Sequence, residues 1–145
     1  MTTTEDPTVS AIKALSINDV PANRKRGGDI RTLLSPATVG ATSGFLGTLR
    51  LQPGEVVTEH LHPYSEEFLF CVDGQAILRL NGEDRKIRAN EGILVPIGVR
   101  HRLMNDGIAP AFFVFHLSPL APMPQLGHVD TEPLPDQQAG SGGPR

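Results

Sequence analysis

The side chains best able to do chemistry in this sequence are histidines with one acidic pair beside them. His60 and His62 stand two residues apart, with Glu66 and Glu67 close behind, inside Gly54 to Gly74, GEVVTEHLHPYSEEFLFCVDG. Along an extended strand, side chains two apart project from the same face. Both imidazoles then address one point, which is how a metal site begins. An isolated His-x-His pair can equally face solvent, so a second segment matters. Asn90 to Asn105, NEGILVPIGVRHRLMN, sets His101 three residues after Gly98, behind a Pro-x-Gly turn. His116 sits in the apolar run AFFVFHL, where an unpaired imidazole is costly. It reads either as a hydrogen-bonded core histidine or as a further ligand, replacing Glu67 or joining it. His128 lies in a proline-rich stretch and is assigned no role.

The elements that must position these groups read as short strands. Asp29 to Leu34 is a strand that Ser35-Pro36 ends. Ser43 to Leu51, Val56 to His62, Glu66 to Val72, Gln75 to Leu80, Arg85 to Ala89, Gly92 to Pro96, His101 to Met104 and Ala111 to Leu117 follow. The last is apolar enough to be buried on both faces. Asn81-Gly82 is the strongest hairpin signal. Ala11 to Val20 fits a short strand or a helical turn equally. Short strands between Gly, Pro, Asn and Asp turns, with no long helical pattern, predict an all-β sandwich or barrel. Parity places Glu67 with Leu69 and Cys71 on one face, and Glu66 on the other.

Three regions are expected. Residues 1–34 form an amino-terminal arm and first strand, suited to pairing two copies. Residues 35–118 form the barrel. Residues 119–145 hold six of the 13 prolines and end in AGSGGPR, which predicts a partly disordered tail.

Composition narrows the class further. With 145 residues, 39% hydrophobic and 20% charged, the chain suits one globular domain. The formal net charge of -3 argues against nucleic-acid binding. No apolar run approaches a membrane span, and MTTTEDPT has no signal-peptide character, so a cytoplasmic protein is expected. The lone Cys71 cannot close an intramolecular disulfide and reads as a small buried hydrophobe. Arg24, Lys25 and Arg26 form a local basic cluster ahead of two glycines, which by default is solvated surface.

The two histidine segments resemble the paired motifs of the cupin superfamily. Gly54, His60, His62, Glu67 and Gly74 match the first, and Pro96, Gly98, His101 and Asn105 match the second. Asn90 stands where the second motif opens with Gly, a departure at a turn rather than at a ligand. The resemblance implies a single-domain, jelly-roll-like cupin β-barrel with His60, His62, His101 and Glu67 converging on a metal. The run RKRGGDIRTLLSPATVGATSGFL, Arg24 to Leu46, narrows the similarity to the single-domain cupin cyclases of bacterial aromatic polyketide pathways. That similarity spans about residues 20 to 118. It implies aldol-type ring closure and dehydration of a poly-β-ketoacyl chain, with a homodimer as the expected assembly.

Such a ligand set suits zinc, iron, copper, nickel or manganese; zinc is favoured, iron next. Positions left open would admit substrate, and a Lewis-acidic metal would stabilise an enolate oxygen. Phe45, Leu49, Leu69, Val95, Leu103 and Phe113 are expected to line an apolar cavity. The base is unassigned among a metal-bound hydroxide, an unligated Glu67 and His116. The substrate is expected on an acidic acyl carrier protein, which the Arg24–Arg26 cluster would help to dock. Two other readings stand beside this one: an iron-dependent cupin dioxygenase or oxygenase, and a non-catalytic small-molecule-binding cupin. A sugar isomerase would need a more polar interior.

Overall fold

Turn chemistry sets the strand ends. Asn81 (φ 48°) and Gly82 (φ 87°) both take left-handed backbone, as the two-residue loop between β5 (Gln75–Leu80) and β6 (Glu83–Arg88) requires. The computed structural model describes residues 8–141. Asn90 is the other non-glycine residue with positive φ among them, at 71°, and its N–H donates to the Cys71 carbonyl at 2.7 Å. The motif's opening glycine is therefore replaced by the side chain that best tolerates left-handed backbone. Asn90→Gly is expected to leave stability within a few tenths of a kcal/mol, whereas Asn90→Ala should cost roughly 1 kcal/mol or more. Urea unfolding of the two variants checks this; equal costs would rule out backbone conformation as the reason for Asn.

Ten strands form two five-stranded antiparallel sheets. The first runs β1 (Asp29–Leu34), β2 (Phe45–Leu51), β9 (Ala111–Ser118), β4 (Glu66–Asp73), β7 (Gly92–Val95). The second runs β10 (Val129–Asp130), β3 (Val56–Leu61), β8 (His101–Met104), β5, β6. Non-sequential neighbours in both sheets give the jelly-roll weave, so the all-β expectation holds. The inward residues of the two sheets meet in one core: Leu51, Leu69, Cys71, Leu78, Val95 and Phe113 are essentially sealed from solvent. Asn105 is buried among them. Its amide donates to the Leu51 and Ala109 carbonyls, both at 2.9 Å, and its oxygen accepts from the Gly107 N–H at 2.9 Å. It serves as a turn staple between β8 and β9.

One expectation about the strands needs correcting. β9 is not buried on both faces: Phe112, Val114 and His116 point outward and are half-buried. Together with Phe68 (46% exposed), Phe70 and Leu94 they give the first sheet an apolar outer face. Of the two forms open to Ala11 to Val20, the helical turn is the one taken, with 3₁₀ turns at Val9–Ala11 and Ile17–Asp19, the second closed by a Ser16/Asp19 capping box. Within the proline-rich segment expected to be a partly disordered tail, Val129 and Asp130 pair with Leu61 and His60, and a short helix follows at Pro135–Ser141; the segment's last four residues lie outside the described ones. Asp130 pairs with Arg26 of the amino-terminal arm and Glu132 with Arg102 of β8. No helix among the described residues is long and apolar enough to cross a membrane.

Candidate metal centre

β3 carries a bulge that aims the site. Val57 pairs with Leu103, but His60 pairs with His101, so β3 spends one more residue than β8 over this interval. Strict alternation from the inward Val57 would turn His60 outward; the extra residue restores it to the interior. His60 and His101 then lie directly opposite one another, with ring centroids 4.3 Å apart. His62, just past the end of β3, brings its ring to 5.0 Å from His60 and 5.1 Å from His101. One ligand nitrogen from each of these three residues lies within 4.8 Å of the others. From the opposing sheet, Glu67 on β4 sets Oε1 3.1 Å from His62 Nε2 and 3.6 Å from His101 Nε2.

Hydrogen bonding decides the imidazole tautomers. Nδ1 of His60 lies 2.8 Å from the Thr58 carbonyl, Nδ1 of His101 2.9 Å from that of Val99, and Nδ1 of His62 2.9 Å from that of Gly127. A backbone carbonyl only accepts, so each Nδ1 must carry the proton. His60 and His101 therefore turn an unprotonated Nε2 toward the cluster when their rings are neutral, while His62 Nε2 shares a hydrogen bond with Glu67 Oε1 at 3.1 Å. His101 Nε2 is buried without any hydrogen-bond partner. These three rings could hold a metal ion, and a divalent metal fits the donor set.

The electrostatics of the protein alone agree. Burial, reinforced by His101, pushes the His60 pKa down to about 3, so this ring is uncharged at neutral pH. Burial pushes the Glu67 carboxyl up, but hydrogen bonds from His101 and His62 outweigh it and hold the group ionised, well below the usual carboxylate range. Burial pushes His101 down, while Glu67 more than offsets it and raises the net value. Without a metal, a proton on His101 is the charge that balances Glu67.

Of the residues expected at the site, His60, His62, His101 and Glu67 are thus brought together. His116 is not. It lies on the outer face of the first sheet, its ring 5.8 Å from that of Phe68, beside a shallow cleft of about 410 Å³ also lined by Phe70, Leu94 and Val114. Sheet parity explains this: Phe113 and Leu117 point inward, and His116 falls on the alternate register. It can neither ligate with the other three nor act as the base there. The apolar residues expected to line a cavity instead pack mostly as core: Leu49, Leu69, Val95, Leu103 and Phe113 are all buried, and only Phe45 is half-buried. Sequence reading missed the carbonyls of Thr58, Val99 and Gly127. Two of them lie two residues before the histidine they hold, but no pattern in the sequence marks Gly127.

A double-sheet β-sandwich with inward histidines on adjacent strands is the architecture of the cupin domain, whose family profile matches residues 47–117. Two curated relatives carry the comparison across most of the chain. Polyketide synthase CurC of Streptomyces cyaneus is 55% identical over 83% of this chain and 78% of its own length. The tetracenomycin polyketide synthase protein TcmJ of Streptomyces glaucescens is 48% identical over 92% of this chain and 90% of its own. The chain belongs to the cupin family, in the polyketide-synthase-associated group that CurC and TcmJ represent. The solved polyketide cyclase RemF of Streptomyces resistomycificus shares the fold, with a TM-score of 0.68 at 19% identity over 91% of this chain and 94% of its own.

Proposed function

We propose that this protein is a metal-dependent aromatic polyketide cyclase that closes a ring in a poly-β-ketoacyl chain by an aldol-type condensation. The observation that carries the metal dependence is the convergence of three imidazoles and the Glu67 carboxylate, each ring pinned through Nδ1. The class of reaction rests on the kinship with polyketide synthase proteins. A divalent metal held by His60, His62 and His101, with Glu67 as fourth donor, supplies Lewis-acidic charge at a substrate carbonyl oxygen. The chain's own residues do the rest. Thr58, Val99 and Gly127 keep the imidazoles oriented. Phe45 heads the cross-strand row Phe45, Leu117, Glu67, Val95, and as its half-buried apolar member would shield reactive carbonyls from water. With His116 on the outer face, Glu67 would take a proton only if it does not ligate the metal.

Zinc is the favoured metal and iron the next. Elemental analysis of the purified protein, paired with an anaerobic cyclisation assay, tests the reading. Stoichiometric zinc and unchanged anaerobic turnover support a redox-neutral cyclase. Iron together with oxygen uptake would move the assignment to an oxygenase. Metal retained with no turnover of any poly-β-ketone would leave a small-molecule-binding cupin.

Two partners belong to the same proposal. An acidic carrier protein would meet Lys25 and Arg24, whose side chain is 62% exposed and only loosely paired with Asp29 and Glu55 at 3.7 and 3.9 Å, whereas Arg26 is engaged with Asp130 at 2.6 Å. Reversing the charges of Lys25 and Arg24 is expected to weaken carrier-delivered turnover and spare a free substrate mimic; equal rates with both would remove the docking role. Pairing of two copies is read by equilibrium sedimentation.

A further inference from the structure

The run Arg24 to Gly28 does more than present charge. Gly27 (φ 100°) approaches β3 so closely that a Cβ there would stand 1.9 Å from the Val56 carbonyl oxygen. That approach delivers the Arg26 carbonyl to the β3 bulge, where it accepts the Thr58 N–H at 2.9 Å and the Thr58 hydroxyl at 3.3 Å. The Thr58 carbonyl in turn holds Nδ1 of His60. The Arg26 side chain reaches the other way and grips Asp130 with two bonds, Nε–Oδ1 at 2.6 Å and Nη2–Oδ2 at 3.3 Å. Asp130 lies in β10, the short strand whose approach sets the Gly127 carbonyl against Nδ1 of His62. The Arg26 side chain is 12% exposed, so this bidentate pair is screened less than a surface pair. A second tie holds the segment further along: Glu132 accepts from Arg102 at 2.9 Å and from the Glu59 N–H at 2.6 Å.

We propose that Arg26 and Asp130 are positioning residues whose ion pair clamps the amino-terminal arm and the carboxy-terminal strap onto β3, fixing the ring directions of His60 and His62. For its consequence on metal affinity the inference rests on the metal-centre reading above; the effect on the imidazoles does not. It also accounts for the presence of the basic cluster and the proline-rich segment in one chain: each orients one member of the His-x-His pair, and Arg26 joins them.

The test uses full-length protein labelled with ¹⁵N-histidine, as wild type, Arg26→Ala, Asp130→Ala, the double variant and Arg26→Lys, with Lys86→Ala as control. Lys86 pairs with Asp106 on the β6 side of the barrel, away from the centre. In metal-free wild type, the rings of His60 and His62 should each give one well-defined set of nitrogen shifts. In the alanine variants the His62 set should move or broaden while circular dichroism stays that of the folded barrel. Titration with Co(II), read by its visible ligand-field bands, should show affinity falling by about 10- to 100-fold in each alanine variant. The double variant should be no weaker than the singles, because the pair acts as one unit. Arg26→Lys should recover part of the loss and Lys86→Ala should lose none. Unchanged nitrogen shifts and cobalt affinity in both single variants would overturn the clamp, as would an equal loss in Lys86→Ala. If wild type itself takes up no cobalt, the metal reading fails, and the nitrogen shifts alone still decide the clamp.

Discussion

Replacing His101 by alanine is expected to empty the centre of metal and to abolish cyclisation while the barrel stays folded. His101 lies directly across from His60 and sends the buried, unpartnered Nε2 toward the cluster. Its loss leaves two imidazoles, so a three-histidine anchor becomes a two-histidine one. Glu67 also loses the His101 ring 3.6 Å away and keeps its hydrogen bond with His62, so the buried carboxylate is not left unpaired. The expected result is stoichiometric metal in the wild type and almost none in the variant, with turnover down by roughly 10²- to 10³-fold or more. His60→Ala should match it. Elemental analysis beside a single-turnover cyclisation assay reads both quantities. Full activity in either metal-free variant would sink the Lewis-acid role and leave only Phe45 and Glu67 as the catalytic apparatus.

The largest expected effect on stability belongs to Phe113→Ala. Phe113 is 0% exposed, in the middle of β9, with Leu49 on one side and Cys71 on the other in the cross-strand ladder. Deleting the ring forfeits its transfer free energy and leaves a hole between two sheets that cannot close independently. The cost should be about 3–5 kcal/mol, against a total of about 5–15 kcal/mol for a domain of ordinary stability. The midpoint of thermal unfolding should fall by roughly 10–20 °C. Phe113→Leu, which keeps most of the volume, should cost less than about 1.5 kcal/mol. Urea unfolding with an unchanged slope would attribute the loss to the folded core. A cost below about 1 kcal/mol for Phe113→Ala would mean that this interior is a ligand cavity rather than packed core, and would return the deep barrel to consideration as the substrate site.

The inward register of Glu67 and the outward register of His116 bear on how the reaction can run. A cyclase that holds a long poly-β-ketone needs space near the metal, and the residues once expected to provide it are consumed by packing. The ligands sit toward the end of the sandwich where β3 gives way to Pro63 and where the strap crosses at Gly127. Under the proposed cyclase reading, substrate would be accommodated around that end, between Phe45 on one sheet and the strap on the other. Orientation of His62 and access to the centre thus depend on the same short segment.

Much of this was legible in residue order. The hairpin at Asn81-Gly82, the strand boundaries from Asp29 to Leu117 and the two-sheet architecture follow from turn residues and period-two apolarity, which are local properties. His60, His62, Glu67 and His101 stand out because strand spacing and two recognisable motifs mark them. Even the replacement of a motif glycine by Asn90 has a local explanation, in the left-handed backbone that both residues tolerate. Where alternation was pushed further it failed for identifiable reasons. An apolar strand such as β9 reads alike whether one face or both are covered, so His116 was open between core, ligand and surface until the sheet partners of its outer face were known. The β3 bulge is set by register against β8 and by the Arg26 carbonyl, neither of which is a property of residues 56–61. Likewise, prolines and glycines after Ser118 suppress regular structure in isolation, yet Asp130 and Glu132 find cationic partners at Arg26 and Arg102, which lie distant in sequence. The sequence alone marked the four side chains that converge, along with His116, which does not join them, and the kind of strands that bear them. Only the tertiary structure decided which way each imidazole faces and what holds it there, because those are contacts between segments up to 104 residues apart that no local pattern encodes.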